Sequence, residues 1–413
     1  MTSPPHEPLG WIGRYQLLAR LGAGGMGEVF LAKTTGAAGF EKRVVIKRIL
    51  PHLSNNDAFV TRFLNEAKLV VQLRHAGIAQ ILDMGEDAGV YFMAMEYVEG
   101  RDLRELLRLG RAGTVRPAFS VAAFILMRIL EALDHAHRAK DANGRPLGVI
   151  HRDVSPSNVM ISRSGEVKLV DFGIARAADR SGLSVSGVLQ GKYAYMSPQQ
   201  AAGGELDPRS DQFSVGVLAW ELLAGERPFD GDTDLETLDR IRHHQPGSLA
   251  EVVQDVPQPL VEVIDRLLSK DAEGRFENAA AAAKAIQNVL FQASEMVGPR
   301  DLQAYYERCL LTLPATQRDV IGQALSLNDA LNLHLASDPG VASQTATGTL
   351  SVASSVSSPS ISRPPEQATP TGYQGLDLGP ERIPSQADII AAARGRSRWM
   401  SLLVMLNFAL LIT

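Results

Sequence analysis

The chain has 413 residues, with 41 Lys plus Arg against 46 Asp plus Glu, a formal net charge of −5. Hydrophobic residues make up 45% and charged residues 21%, which excludes a wholly disordered chain, a collagen and a polytopic membrane protein. So small a net charge gives no whole-protein attraction to nucleic acid. The one cysteine, Cys309, allows no intramolecular disulfide and fits a reducing compartment. A lone Cys reads as a small buried hydrophobe rather than a nucleophile.

In chain order, residues 1–14 carry Pro4, Pro5 and Pro8 and no apolar run; they read as a flexible start, not a secretory leader. Strands are predicted at Tyr15 to Leu21, Gly27 to Lys33, Arg43 to Ile49, Ile78 to Glu86 and Val90 to Tyr97. One helix, Asp57 to Leu73, interrupts them, with Phe59, Phe63, Ala67 and Val70 on one face. After Arg101 the patterns turn helical, as in Ser120 to Arg138 and Asp211 to Ala224. The fold class expected is α+β: a small β-rich lobe over about 15–97 and a larger, mostly helical lobe over about 98–290. A helical extension over 291–335 follows, with Asp301 as its cap. Thirteen of the 29 residues from Ser343 to Thr371 are Ser or Thr, so 336–393 reads as a linker that buries too little to offset its ordering entropy. Residues 394–413 close the sequence with Arg394, Arg396 and Arg398 before the uncharged stretch Trp399 to Thr413. Fifteen residues of helix span about 22 Å against a bilayer core of about 30 Å. A membrane segment cut off by the end of the chain, a short tail anchor and a helix packed on the protein all fit. The basic flank and boundary Trp favour the membrane.

Four motifs carry chemistry. Gly22-Ala23-Gly24-Gly25-Met26-Gly27-Glu28-Val29 is a G-x-G-x-x-G-x-V run, whose glycines let backbone approach phosphate oxygens. A dinucleotide site uses the same spacing but opens a helix; here Glu28 to Ala32 continues as a strand. Val44-Val45-Ile46-Lys47 ends an apolar strand in a lysine that is costly to bury unpaired. Glu66, on the following helix, is its natural partner. His151-Arg152-Asp153-Val154-Ser155-Pro156-Ser157-Asn158 and Asp171-Phe172-Gly173 supply one carboxylate to take a hydroxyl proton. They also supply an Asn and a second Asp as hard oxygen ligands suited to Mg2+. Each run alone is an ordinary turn or strand edge; all four in this order are not.

With these motifs, residues 15–290 resemble the protein kinase catalytic domain in its bacterial, eukaryotic-like Ser/Thr form. Further matches are Met95-Glu96-Tyr97-Val98 at the adenine-reading hinge, Ser197-Pro198-Gln199 for the usual Ala-Pro-Glu, Asp211 with Ser214 and Gly216, and the late structural Arg275. The resemblance implies a bilobal fold and transfer of the γ-phosphoryl group of Mg-ATP to protein Ser or Thr. Leu21, Gly22, Gly24, Gly25, Gly27 and Val29 would cover ATP. Ala32, Met95, Glu96 and Val98 would line the adenine pocket, and Lys47, paired to Glu66, would hold the phosphates. Asp153 would orient and deprotonate the acceptor, Asn158 and Asp171 would bind Mg2+, and Asp102 would touch ribose or a basic substrate residue.

The sequence departs from the family at three points. Ser155 stands where a Lys usually meets the γ-phosphate, and Lys192 where a Thr is usual; this predicts an exchange in which Lys192 reaches back to Asp153. Gln199 replaces the Glu that partners Arg275, trading a charged bidentate pair for an amide contact. Ser181, Ser184 and Ser186, between Asp171 and Pro198, are autophosphorylation candidates whose phosphate would pair with Arg152.

The expected activity is thus an active Ser/Thr protein kinase. The alternatives are a pseudokinase scaffold, favoured by Ser155 and Gln199, and a small-molecule phosphotransferase. Protein substrates and ATP are the expected partners, with a homodimer for trans-autophosphorylation, the membrane through the C-terminal segment, and no nucleic acid. The kinase domain would lie in the cytoplasm, tethered to the inner membrane. His135 and His137, two apart on a helix, point to different faces and so make no zinc site.

Overall fold

The computed structural model describes residues 9–23, 27–36, 39–172 and 193–313, apart from the side chains of Ala58, Arg62 and Glu66. All of these lie within one compact unit, Met1–Asp338.

The first lobe is a six-stranded antiparallel sheet of β1 (Gly10–Ile12), β2 (Tyr15–Ala23), β3 (Gly27–Thr35), β4 (Glu41–Ile49), β5 (Ile81–Asp87) and β6 (Val90–Glu96), in the order β1-β2-β3-β4-β6-β5. α1 (Pro51–Ser54) and α2 (Asp57–Val70) follow β4. Asn56 caps α2, accepting the Phe59 amide at 3.0 Å. That leaves Phe59, Phe63, Ala67 and Val70 buried on one helix face, as their spacing predicts.

The flexible start expected over 1–14 is corrected at its end. Gly10–Ile12 pair with Tyr15–Leu17, and the Gly13 amide donates to Asp87 Oδ2 at 2.8 Å. A three-residue strand is too short to show a period, so only its tertiary pairing defines it. Ile78, predicted to begin the fourth strand, instead makes one isolated parallel bridge to Leu169.

The second lobe begins with β7 (Gly100–Asp102), which joins β8 (Val159–Ser162) and β9 (Val167–Leu169) in a three-stranded sheet. Its helices are α3 (Leu103–Ala112), α4 (Phe119–His137), α5 (Pro198–Ala201), α6 (Arg209–Ala224), α7 (Asp234–His243), α8 (Leu249–Val252), α9 (Gln258–Leu267), α10 (Ala279–Gln292) and α11 (Pro299–Leu311). α4 and α6 form its centre, buried almost all round. Cys309 is buried, as expected. Asp301 caps α11, as expected, from its first turn, accepting the Gly298 amide at 2.8 Å. Among the described residues no helix is long and apolar enough to cross a membrane. Residues 399–413 lie outside the described residues.

Candidate active site

The site forms where the inner face of the first sheet meets the loops around β8 and β9. Register decides which side chains face it. Val29 pairs with Lys47, Leu31 with Val45 and Val45 with Met95, and directly opposed residues share a face. Val29, Val45, Lys47 and Met95 therefore line one surface.

Ala32 does not join them, contrary to the expectation from sequence. It pairs with Val44 and is buried on the opposite face with Phe30, Ile46 and Phe92. The step from Val29 to Ala32 is odd, and a strand alternates faces at every residue. The residue missed is Val45, two before Lys47 and legible by that same period.

The glycine-rich turn divides into two kinds of position. A Cβ at Gly27 would overlap the Arg48 carbonyl oxygen of β4, whereas a Cβ at Gly22 would meet nothing within 4 Å. Gly27 serves strand pairing, and Gly22 leaves open space above Lys47. Glu28 anchors the turn, pairing with Arg20 at 2.8 Å and Arg48 at 2.7 Å. Leu21 is 55% exposed at a bulge in β2. Gly24 and Gly25 lie outside the described residues.

The Lys47 ammonium donates to Asp171 Oδ1 at 2.7 Å. Glu66, the partner expected from sequence, lies on α2, and its side chain is outside the description. Asp171 has φ +53°, a left-handed conformation unusual for a non-glycine residue. The two residues before it are tied down. The Val170 amide donates to the Asn158 carbonyl at 3.0 Å, and the Leu169 amide to the Gly77 carbonyl at 2.8 Å.

Asn158 Nδ2 donates to the Asp153 carbonyl at 2.8 Å and to Asp153 Oδ2 at 3.1 Å, so the amide oxygen is turned away from Asp153. The loop carrying both residues hangs on Asp211, which is fully buried. Its Oδ2 accepts the His151 amide and its Oδ1 the Arg152 amide, each at 2.8 Å. Arg152 is held there at φ +64°. His137 Nε2 lies 2.8 Å from Asp211 Oδ2. Burial pushes the Asp211 carboxyl up, but the His137 hydrogen bond and the His137 and His151 charges outweigh it and hold it below the usual carboxylate range. His135, on the other face of α4, stacks on His75 with ring centroids 5.0 Å apart. His151 is buried against Phe172 at 4.5 Å, and burial lowers its pKa.

The rest of the Asp211 motif is equally physical. Ser214 Oγ donates to the Tyr195 carbonyl at 2.7 Å. A Cβ on Gly216 would press at 3.0 Å on Leu267 and Leu268. Gln199 does contact Arg275: its Oε1 accepts from the guanidinium at 3.0 Å, and its Nε2 donates to the Lys270 carbonyl at 2.9 Å. Arg275 is 1% exposed, and burial pushes its pKa down to about 10.

At the hinge, Glu96 is locked by Lys168 at 2.7 Å and by the Gln80 amide at 3.1 Å, and Val98 is buried. Asp102 Oδ1 caps α3 through the Glu105 amide at 2.8 Å; burial raises its pKa. Among the described residues no group of three or more His, Cys, Asp or Glu could hold a metal ion. The side-chain oxygens of Asn158 and Asp171 are of the hard kind that suits Mg2+ shared with phosphates. Lys192, Ser181, Ser184 and Ser186 lie outside the described residues.

Two unequal lobes, a strand lysine joined to a left-handed aspartate and a second aspartate held by an asparagine make up the arrangement of a kinase-class catalytic domain. The model of the protein kinase domain family matches residues 15–291. The chain is 40% identical over 293 residues to the tyrosine-protein kinase MasK of Myxococcus xanthus, covering 71% of this chain and 45% of that protein. It is 36% identical over 279 residues to the probable serine/threonine-protein kinase SCO3848 of Streptomyces coelicolor, covering 66% and 39%. With the serine/threonine-protein kinase PknL of Mycobacterium tuberculosis it shares 32% over 326 residues, 78% of each. The solved kinase domain of M. tuberculosis PknI superposes with a TM-score of 0.51 at 27% identity, over 70% of this chain and 99% of that one. The chain therefore belongs to the protein kinase family and has the bilobal kinase fold. It spans less than half the length of the first two of these relatives.

Proposed function

We propose that this protein is an ATP-dependent protein kinase that transfers the γ-phosphoryl group to Ser and Thr hydroxyls of proteins in bacterial signalling, its own activation segment included. The observation that carries this reading is the pair of contacts at the cleft floor, Lys47 to Asp171 at 2.7 Å and Asn158 to Asp153 at 3.1 Å.

In the reaction, Lys47 holds the phosphates of ATP beneath the turn that Gly22 and Gly27 shape. Asp153 orients the acceptor hydroxyl and takes its proton as the new O–P bond forms. The bond between the γ-phosphorus and the bridging oxygen breaks, and ADP leaves with that oxygen. Asn158 and Asp171 are the residues that would hold Mg2+, which supplies charge neutralisation at the transferring group. Positioning and electrostatics supply nearly all the catalysis in this chemistry.

Serine and threonine as acceptors are supported by the names of SCO3848 and PknL. Tyrosine is the second reading, favoured by the name of MasK, the most identical of the relatives described above. The proposal extends to Ser181, Ser184 and Ser186 as acceptors, to Lys192 as the cation that replaces the missing catalytic-loop lysine, and to a second copy of the chain acting in trans. It also includes membrane attachment through 399–413, supported by the flanking Arg394, Arg396 and Arg398.

The test is phosphosite mapping with phosphoamino-acid analysis after incubation with Mg-ATP and a generic protein. Phosphoserine or phosphothreonine in the wild type and none in Asp153→Asn is expected. Phosphotyrosine alone would move the acceptor to the second reading, and no transfer at all would leave the scaffold.

A further inference from the structure

Position 155 carries a serine where the resemblance leads one to expect a lysine. Ser155 is buried and its Oγ lies 3.1 Å from Ser157 Oγ. Ser157 in turn accepts a hydrogen bond from Arg104 at 2.7 Å, across 53 residues of sequence. Arg104 sits in the first turn of α3, two residues past the Asp102 cap. α3, which packs on the 3-10 turn Pro156–Asn158, thus brings a guanidinium onto this loop.

α3 is itself set from outside the matched domain. α11 begins eight residues beyond position 291 and packs against α3 and α4. It buries Leu302, Tyr305, Tyr306 and Cys309. Three glycines inside the domain make room for this neighbourhood. A Cβ on Gly165 would overlap the Pro299 carbonyl, and one on Gly113 would overlap Thr312 Cγ2. One on Gly110 would collide with the Val115 carbonyl and lie 3.6 Å from the Tyr305 hydroxyl. Tyr306 interacts electrostatically with Arg101, one residue before the Asp102 cap.

We propose that Arg104 is a positioning residue for phosphoryl transfer: it fixes the catalytic loop through Ser157, and α11 holds the helix that presents it. The inference rests on the kinase reading above. Side chains on two packed elements that share one bond act as a unit, so their removal is not additive. A positively charged donor strengthens that bond over a neutral one.

The test is a double-mutant cycle in the full chain with Arg104→Ala, Ser157→Ala and the pair, read as kcat, KM for ATP and melting temperature. Each single change should lower kcat about fivefold with KM for ATP unchanged, and the double change should cost no more than either. Arg104→Lys, which keeps the charge but not the fork, should recover part of the loss. Hydrogen exchange gives a readout independent of activity. The Asn158 amide, which donates to the Ser155 carbonyl at 2.9 Å, should exchange faster in Arg104→Ala, while amides of α6 do not. Tyr306→Phe, nearly isosteric, should shift the same amide in the same direction. Additive losses, unchanged kcat or unchanged exchange at Asn158 would each overturn the proposal. A wild type without any phosphotransfer would overturn the kinase reading instead, and the exchange result would still decide whether the brace exists.

Discussion

Lys47 and Asp171 meet across the cleft at 2.7 Å, joining β4 of the first lobe to the segment that follows β9 of the second. Both side chains are partly open to solvent, at 24% and 34% exposure, so the pair adds little to stability. Its use is placement: an ammonium and a carboxylate are set where phosphates and a divalent ion need them. Lys47→Met should cut phosphotransfer by about 10²–10⁴-fold and leave the melting temperature within about 2 °C. Steady-state kinetics beside a thermal melt checks both. A loss below threefold would contradict the assigned role.

The two glycines of the phosphate turn should separate cleanly. Gly27→Ala forces a methyl into the Arg48 carbonyl, an overpacking that costs roughly 1–3 kcal/mol and should lower the melting temperature. Gly22→Ala has free space around it, so stability should hold while KM for ATP rises severalfold, because the methyl enters the region phosphate needs. Equal melting temperatures for the two variants would refute the division.

Asp211 is the buried acceptor on which the catalytic loop hangs. Asp211→Asn keeps one oxygen and loses the other, so either the His151 or the Arg152 amide is left without an acceptor. A buried unsatisfied donor costs about 1–3 kcal/mol, and the charge-assisted contact to His137 is lost as well. Denaturant unfolding should show that loss. Turnover should fall further than stability, because Arg152 at φ +64° adjoins Asp153. A variant with wild-type turnover would contradict the account.

Much of this site was legible in the sequence. Lys47, Asp153, Asn158 and Asp171 announce themselves because each lies in a short motif whose spacing is local. The Gln199–Arg275 contact was legible from the substitution itself. What the sequence hid are partnerships made only by tertiary packing. The Arg104–Ser157 bond spans 53 residues and the Asp211–His137 contact 74. Nothing in either segment selects the other. The three-residue β1 and the glycines that admit α11 are invisible for the same reason: each answers a neighbour distant in sequence. The misplaced Ala32 is different, since strand alternation alone would have exchanged it for Val45.

The Arg275 cluster predicts a pH effect. Lys270 Nζ donates to the Ile241 carbonyl at 2.7 Å and lies 3.8 Å from the centre of the Phe229 ring. Burial, then the Arg275 charge, push its pKa down to about 8 from 10.5. The unfolded chain therefore holds this proton more tightly than the folded one, and stability rises as pH climbs from about 8 to 10.5. Lys270→Met should lose that rise relative to wild type when melting temperature is followed against pH. Gln199→Glu should put a carboxylate against Arg275 and raise the melting temperature by about 2–4 °C. A flat difference between wild type and Lys270→Met would remove the pH claim, and no gain in Gln199→Glu would remove the charge argument.

The most direct measurement is transfer of labelled phosphate from γ-labelled Mg-ATP by the purified chain to itself and to a generic protein, beside Asp153→Asn and Lys47→Met. The account predicts acid-stable label on protein with the wild type and background with both variants. Equal labelling by wild type and Asp153→Asn, or none by the wild type, would contradict it.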